Sequence, residues 1–185
     1  MADIWHVWQD FWPYPRGRSD EWASSMTGSV FAADEILVDV SFAAARCQLG
    51  HFARDGVLLS AAEYAYAAGI TGLAETVGPA AGMSRLAGVR AEDITEAADG
   101  ARLWLRWEAT GPEGAVYPAL DAALTLTPAG ETTTLLELAG VYRPTSQAEA
   151  GLDAVIVRCF AAVAVRGFIA WLACALMHPD GVTLR

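Results

Sequence analysis

Residues 100–144 read GARLWLRWEATGPEGAVYPALDAALTLTPAGETTTLLELAGVYRP. In ARLWLRWEAT (101–110), Leu103, Leu105 and Trp107 alternate with Trp104, Arg106 and Glu108. That is the two-residue period of a half-buried strand. GPEG (111–114) interrupts it as a turn. AVYPALDAALTLT (115–127) then sets Leu120, Ala122, Leu124 and Leu126 on one face. Ala129-Gly130 turns the chain into TTTLLELAGVYR (132–143), which Pro144 closes. On the N-terminal side, RLAGVRAEDITEA (85–97) is a further extended run, joined through the hairpin signal Asp99-Gly100. Four strands on short turns predict an antiparallel meander with one buried face.

After the meander, a long helix is expected over about 147–177, ended by His178-Pro179. Gln147, Glu149 and Asp153 fall near its start, where negative charge suits the helix dipole. Its most apolar part, CFAAVAVRGFIAWLACALM (159–177), is as long as a membrane span. Arg166 sits mid-stretch, and a central Arg costs about 2.5–3.5 kcal/mol on insertion. A buried helix of a soluble domain is the favoured reading. At 100° per residue, Arg158 and Arg166 lie within about 80° of each other and mark the wet edge. Phe160, Ala164, Gly167 and Trp171 lie opposite. Before the meander, EILVDVSF (35–42) reads as a strand and AAARCQLGHFARD (43–55) as a helix stopped by Gly56. Residues 57–68 fit either a second helix or the lead into a strand, and GPAAGMS (78–84) reads as a loop.

The first residues stand apart. Ile4, Trp5, Trp8, Phe11 and Trp12 fall on one face of a short helix that Pro13 and Pro15 end. Asp3 and Asp10, with no basic start and no unbroken apolar run, exclude a signal peptide. RGRSDEWASSMTGS (16–29) is linker-like. The expected division is a Trp-rich extension over 1–30 and a domain over 31–185. The aromatic stripe either covers apolar surface on its own domain or binds a partner.

Composition bounds the function. The chain has 185 residues and 19.6 kDa, enough for one core. Its net charge is −10, and all 12 basic residues are arginine. Yet 54% of residues are hydrophobic and the mean hydropathy is +0.29. High hydrophobicity excludes intrinsic disorder. The missing basic footprint argues against nucleic-acid binding and against a polybasic membrane anchor. Cys47, Cys159 and Cys174 are odd in number without a CxxC. Cys159 and Cys174, about 22 Å apart on one helix, cannot bridge each other. A reduced, cytoplasmic protein is the simplest expectation.

RWEATGPEG (106–114), YPALDAALTLTP (117–128), LAGVYRP (138–144) and the helix beginning near Gly151-Leu152-Asp153 carry a resemblance. Residues 35–178 resemble the START-like helix-grip fold of the SRPBCC superfamily, in particular its uncharacterised bacterial members. The resemblance implies an α+β fold in which a curved antiparallel sheet wraps a long C-terminal helix, here with an N-terminal helical extension. It implies a deep apolar cavity between sheet and helix. Members of the superfamily include lipid and hormone binders and polyketide aromatases and cyclases. The matching stretches are not catalytic motifs, so no active-site residue carries over.

The residues themselves name no reaction. Cys47 and His51 share a helix face, but two ligands are too few for zinc. There is no GxSxG elbow around Ser84 or elsewhere, no P-loop and no GxGxxG. No metal and no cofactor is expected. Asp34-Glu35 and Glu92-Asp93 are adjacent, so on strands they face opposite ways and are not paired acids. Arg106 and Glu108 share a strand face with Trp104. On the outer face they solubilise, with Glu137 a cross-strand partner; on the inner face Arg106 would bind an anion. The better core face of Leu103, Leu105 and Trp107 favours the outer placement.

The expected cavity residues are Trp107, Leu120, Leu136, Leu138, Tyr142, Phe160, Ala164, Gly167 and Trp171. Tyr142 and Tyr117 could offer hydroxyls to a polar ligand group. Tight packing without a cavity is the alternative. The leading expectation is therefore a protein that binds a small hydrophobic molecule. A cyclase or aromatase would need Arg90, Tyr142 or His51 at the cavity as acid or base. An interaction module would use the Trp-rich helix, for example in a homodimer.

Overall fold

The computed structural model describes residues 29–77, 86–97, 99–110, 119–143 and 154–179. The Trp-rich segment 1–28, Ser84, the GPEG turn, Tyr117 and residues 147–153 lie outside the described residues. Strand β1 (Val30–Val38) leads to helices α1 (Phe42–Arg54) and α2 (Val57–Val77). Strands β2 (Leu86–Ala91), β3 (Thr95–Ala97), β4 (Gly100–Thr110), β5 (Ala119–Pro128) and β6 (Thr134–Arg143) follow, then helix α3 (Ala154–Met177). The sheet runs β1-β6-β5-β4-β2, with β3 also on β4, and every pairing is antiparallel. The expected α+β helix-grip architecture is present: a meander closed by the first strand, with the last helix on its inner face.

The first strand begins earlier than its composition suggested. It spans Val30–Val38 and not 35–42, because full pairing with β6 runs from Val30↔Tyr142 to Val38↔Thr134. Val30, assigned from sequence to the extension, opens the sheet. The chain then leaves the ladder: the Thr134 hydroxyl donates to the Val40 carbonyl at 2.7 Å, and the Ser41 carbonyl accepts from the Ala45 N–H to start α1. Gly56, at φ 77, separates α1 from α2 in a conformation that side chains resist. The ambiguous residues 57–68 are helical, because α2 lays its buried Leu58, Ala61, Ala62, Ala65 and Tyr66 into the core.

Run 85–97 is one arm broken in two. Ala91 pairs with Leu105 and Thr95 with Arg102, so β2–β3 carries one residue more than β4 between these points. This is a β-bulge, which bends and twists the sheet. Strand β3 ends at Ala97, and Gly100 of the Asp99-Gly100 signal already belongs to β4, paired with Ala97. A Cβ on Gly100 would meet the Leu126 carbonyl oxygen, so only glycine allows this approach of β4 to β5.

Inner-face residues line up in rows across the strands. Val89, Trp107, Leu120, Tyr142 and Val30 form one. The next is small: Ala91, Leu105, Ala122, Gly140 and Ala32. Then come Leu103, Leu124, Leu138 and Asp34, and finally Ala101, Leu126, Leu136 and Ile36. Helix α3 packs along β1 and against α2, burying Ala161, Val165, Phe168, Leu172 and Leu176. The stretch Arg158–Met177 is long and apolar enough to cross a membrane, with 56% of it buried inside the fold. Arg158 and Arg166 do form its exposed edge, and Arg166 pairs with Asp34 of β1 at 3.1 Å.

Candidate functional site

The sequence-predicted cavity residues fall into two groups. Trp107, Leu120, Leu136, Leu138, Tyr142, Phe160 and Ala164 are buried in the core cluster between the sheet and the helices. Gly167 and Trp171 are only half-buried. Gly167 faces α2: a Cβ there would stand 3.4 Å from the Ala65 Cα. Its role is a close helix–helix approach and not room above the sheet.

At the end of the grip where β1 begins, five rings meet. Trp107 packs edge-on against Phe168 at 5.0 Å between centroids and lies 6.2 Å from Tyr142. Phe160 stands edge-on between two phenols, 5.7 Å from Tyr142 and 5.4 Å from Tyr66. Such T-shaped contacts satisfy the ring quadrupoles. Leu120 separates Trp107 from Tyr142 in the cross-strand row. The sequence reading missed Tyr66 and Phe168. Phe168 had a signal: Ala161, Val165, Phe168, Leu172 and Leu176 follow the spacing of a buried helix stripe. Tyr66 fell in the segment left open between helix and strand.

The polar atoms of this cluster define its chemistry. Tyr142 is fully buried and Trp107 is 3% exposed. The Tyr142 hydroxyl and the Trp107 indole nitrogen have no hydrogen-bond partner. Leaving a buried polar group unsatisfied costs about 1–3 kcal/mol. Burial pushes the Tyr142 phenol well above its ordinary value of 10.0. The nearby Trp107 N–H works against that rise, although its geometry does not amount to a hydrogen bond satisfying either atom. Tyr66 adds to the rise. Tyr142 therefore stays protonated and is a hydrogen-bond donor.

Catalytic candidates named from sequence do not converge here. Arg90 lies opposite Arg106 on the outer sheet face, and His51 is exposed on α1 within 3.2 Å of Arg54. Arg106 is on the outer face, as expected, but its partners are Asp121 at 3.2 Å and Glu108 at 3.7 Å, not Glu137. Cys47 and His51 are both exposed on α1. Among the described residues, no three His, Cys, Asp or Glu side chains gather as a metal site. A groove of about 500 Å³ opens on the outward side of the helix pair, lined by Tyr64, Ala67, Ala68, Thr71, Gly72 and Val163. Phe160 lies one helical turn before Val163, with its ring against Gly69. The same ring packs against Tyr142.

The strand order and the helix on the inner face define a helix-grip protein with a polar-headed aromatic core. No family model matches the chain, and no curated protein matches it. Among solved structures it is similar to the Zhui aromatase/cyclase from Streptomyces sp. R1128, at 10% identity and a TM-score of 0.42, covering 83% of this chain and 97% of that one. It is also similar to norcoclaurine synthase from Thalictrum flavum in complex with dopamine and hydroxybenzaldehyde, at 9% identity and a TM-score of 0.31, covering 83% and 93%. The fold assignment rests on strand order, register and helix placement, and not on these likenesses.

Proposed function

We propose that this protein binds a small, largely apolar molecule in the grip between the sheet, α2 and α3. One observation carries the reading: the Tyr142 hydroxyl and Trp107 indole N–H are buried side by side without partners. A fold that kept these groups for packing alone would gain by replacing them with phenylalanine. A ligand that meets them recovers their desolvation cost. The route of entry is the α2–α3 groove, with Phe160 swinging aside. Among the described residues, no carboxylate or imidazole packs against the rings.

Native mass spectrometry of the protein purified from its own cells tests this. The expected result is a discrete mass increment that organic extraction removes. A second arm measures binding of 1-naphthol by calorimetry, with saturable one-to-one uptake expected. Absence of both the increment and naphthol uptake would overturn the proposal.

A further inference from the structure

We infer that the buried end of the ligand is an uncharged hydrogen-bond acceptor, a ketone or similar carbonyl oxygen on an apolar body, and not a carboxylate or an ammonium group. This rests on the reading that the grip binds a small apolar molecule.

The argument starts from what the core can donate. An indole N–H donates and never accepts. The Tyr142 phenol, fully buried, is held protonated by its surroundings, so it too presents a proton. Two donors buried without partners in one ring cluster call for an acceptor. A ligand donor such as an amine could use only the phenol oxygen and would leave the indole N–H orphaned.

The argument continues with what the core cannot neutralise. Among the described residues, the buried polar or charged ones are Asp121 and Thr134. Asp121 belongs to the outer face, where it pairs with Arg106. Thr134 is engaged with Val40. The described arginines on α3 and the inner rim, Arg158 and Arg166, lie at the wet edge of the helix. No cation therefore faces the rings from β1, β4, β5, β6, α2 or α3 among the described residues. An anion taken there would lose its water with only neutral donors in return, and burying an uncompensated charge is far costlier than burying a carbonyl. A cation would meet donors and, among the described residues, no carboxylate at the rings. A neutral carbonyl oxygen, with two lone pairs, can accept from both Tyr142 and Trp107 at once.

Three probes of nearly one shape test it on the full chain by isothermal calorimetry at pH 7: 2-acetylnaphthalene, 2-naphthoate and 2-ethylnaphthalene. The inference expects the ketone to bind at least tenfold more tightly than either of the others. In Tyr142→Phe and Trp107→Phe that margin, read as the ratio of ketone to 2-ethylnaphthalene affinity within each variant, shrinks several-fold. The wild-type ranking stands without the variants, so a variant that fails to fold does not spoil the test. Equal binding of ketone and hydrocarbon would overturn the inference and leave the apolar site intact. Tighter binding of naphthoate would overturn it in favour of an anion site. Failure of all three to bind would overturn the underlying reading as well.

Discussion

The rings of Trp107 and Tyr142 stand 6.2 Å apart and tilted by 51°, on either side of Leu120 in one cross-strand row, with both polar heads buried and unmet. Unmet, these two groups are a source of instability. Tyr142→Phe keeps the ring contacts with Phe160 and Trp107 and deletes the orphan hydroxyl. Its expected effect is a gain of roughly 1 kcal/mol in unfolding free energy at pH 7, from the desolvation cost removed. Urea denaturation measures it. A loss of similar size would mean that the hydroxyl has an internal partner.

The same hydroxyl sets an alkaline dependence. Below the ordinary phenol value of 10.0, Tyr142 is protonated in both folded and unfolded chains and adds no pH dependence. Above it, the unfolded phenol loses its proton while the buried one keeps it, so the unfolded state binds fewer protons. Stability then falls as pH rises, by up to about 1.4 kcal/mol per pH unit from this group. Urea midpoints from pH 8 to 11 should drop more steeply for wild type than for Tyr142→Phe. Parallel curves would contradict this.

How much of this was legible in the sequence follows from which forces act locally. The meander could be read because Leu103, Leu105 and Trp107, and Leu120, Ala122, Leu124 and Leu126, recur at the two-residue period and the turns carry their own signals. The outer placement of Arg106 followed from the same alternation. Gly167 was misjudged because a small residue on a helix looks the same whether it opens a cavity or admits a second helix. Only the position of Ala65 decides between them. Likewise, the start of β1 depends on pairing with β6, a hundred residues away, which no local pattern encodes. The unmet polar heads were invisible for a further reason. Burial of a tyrosine can be guessed from its neighbours, but its hydrogen-bond partner depends on tertiary distances.

Gly140 in the sheet and Gly50 in α1 should respond oppositely to alanine. At Gly140 a Cβ would stand 2.6 Å from both the Ala122 Cβ and the Asp121 carbonyl oxygen. Backbone must move there, and Gly140→Ala should cost about 2–3 kcal/mol, as overpacking does. At Gly50, inside α1, the nearest atom is the Ile94 Cδ1 at 3.8 Å, ordinary contact. Gly50→Ala should stabilise by about 0.5–1 kcal/mol, because alanine is the better helix former. Thermal unfolding of the two variants should therefore shift in opposite directions. A common direction would contradict the close approach of β5 and β6 at Gly140.

Two arginine pairs should differ in the same way that their surroundings do. Arg166 is 80% exposed and Asp34 28%, so their pair is solvated and competes with water. Arg166→Ala should change stability by no more than about 1 kcal/mol. Arg106 is 43% exposed, but the Asp121 side chain it holds is only 10% exposed. Arg106→Met keeps the apolar stem across the outer face and removes this cation from a nearly buried carboxylate. That loss should cost about 1–3 kcal/mol, the range for a buried polar group losing a partner. Salt separates the two further: raising ionic strength should erase the small effect of Arg166→Ala and leave most of the Arg106→Met effect, because a nearly buried pair is screened less. Chemical denaturation by urea of both variants at low and high sodium chloride reads this directly. Equal, salt-sensitive effects at the two sites would show that Asp121 is as well hydrated as Asp34.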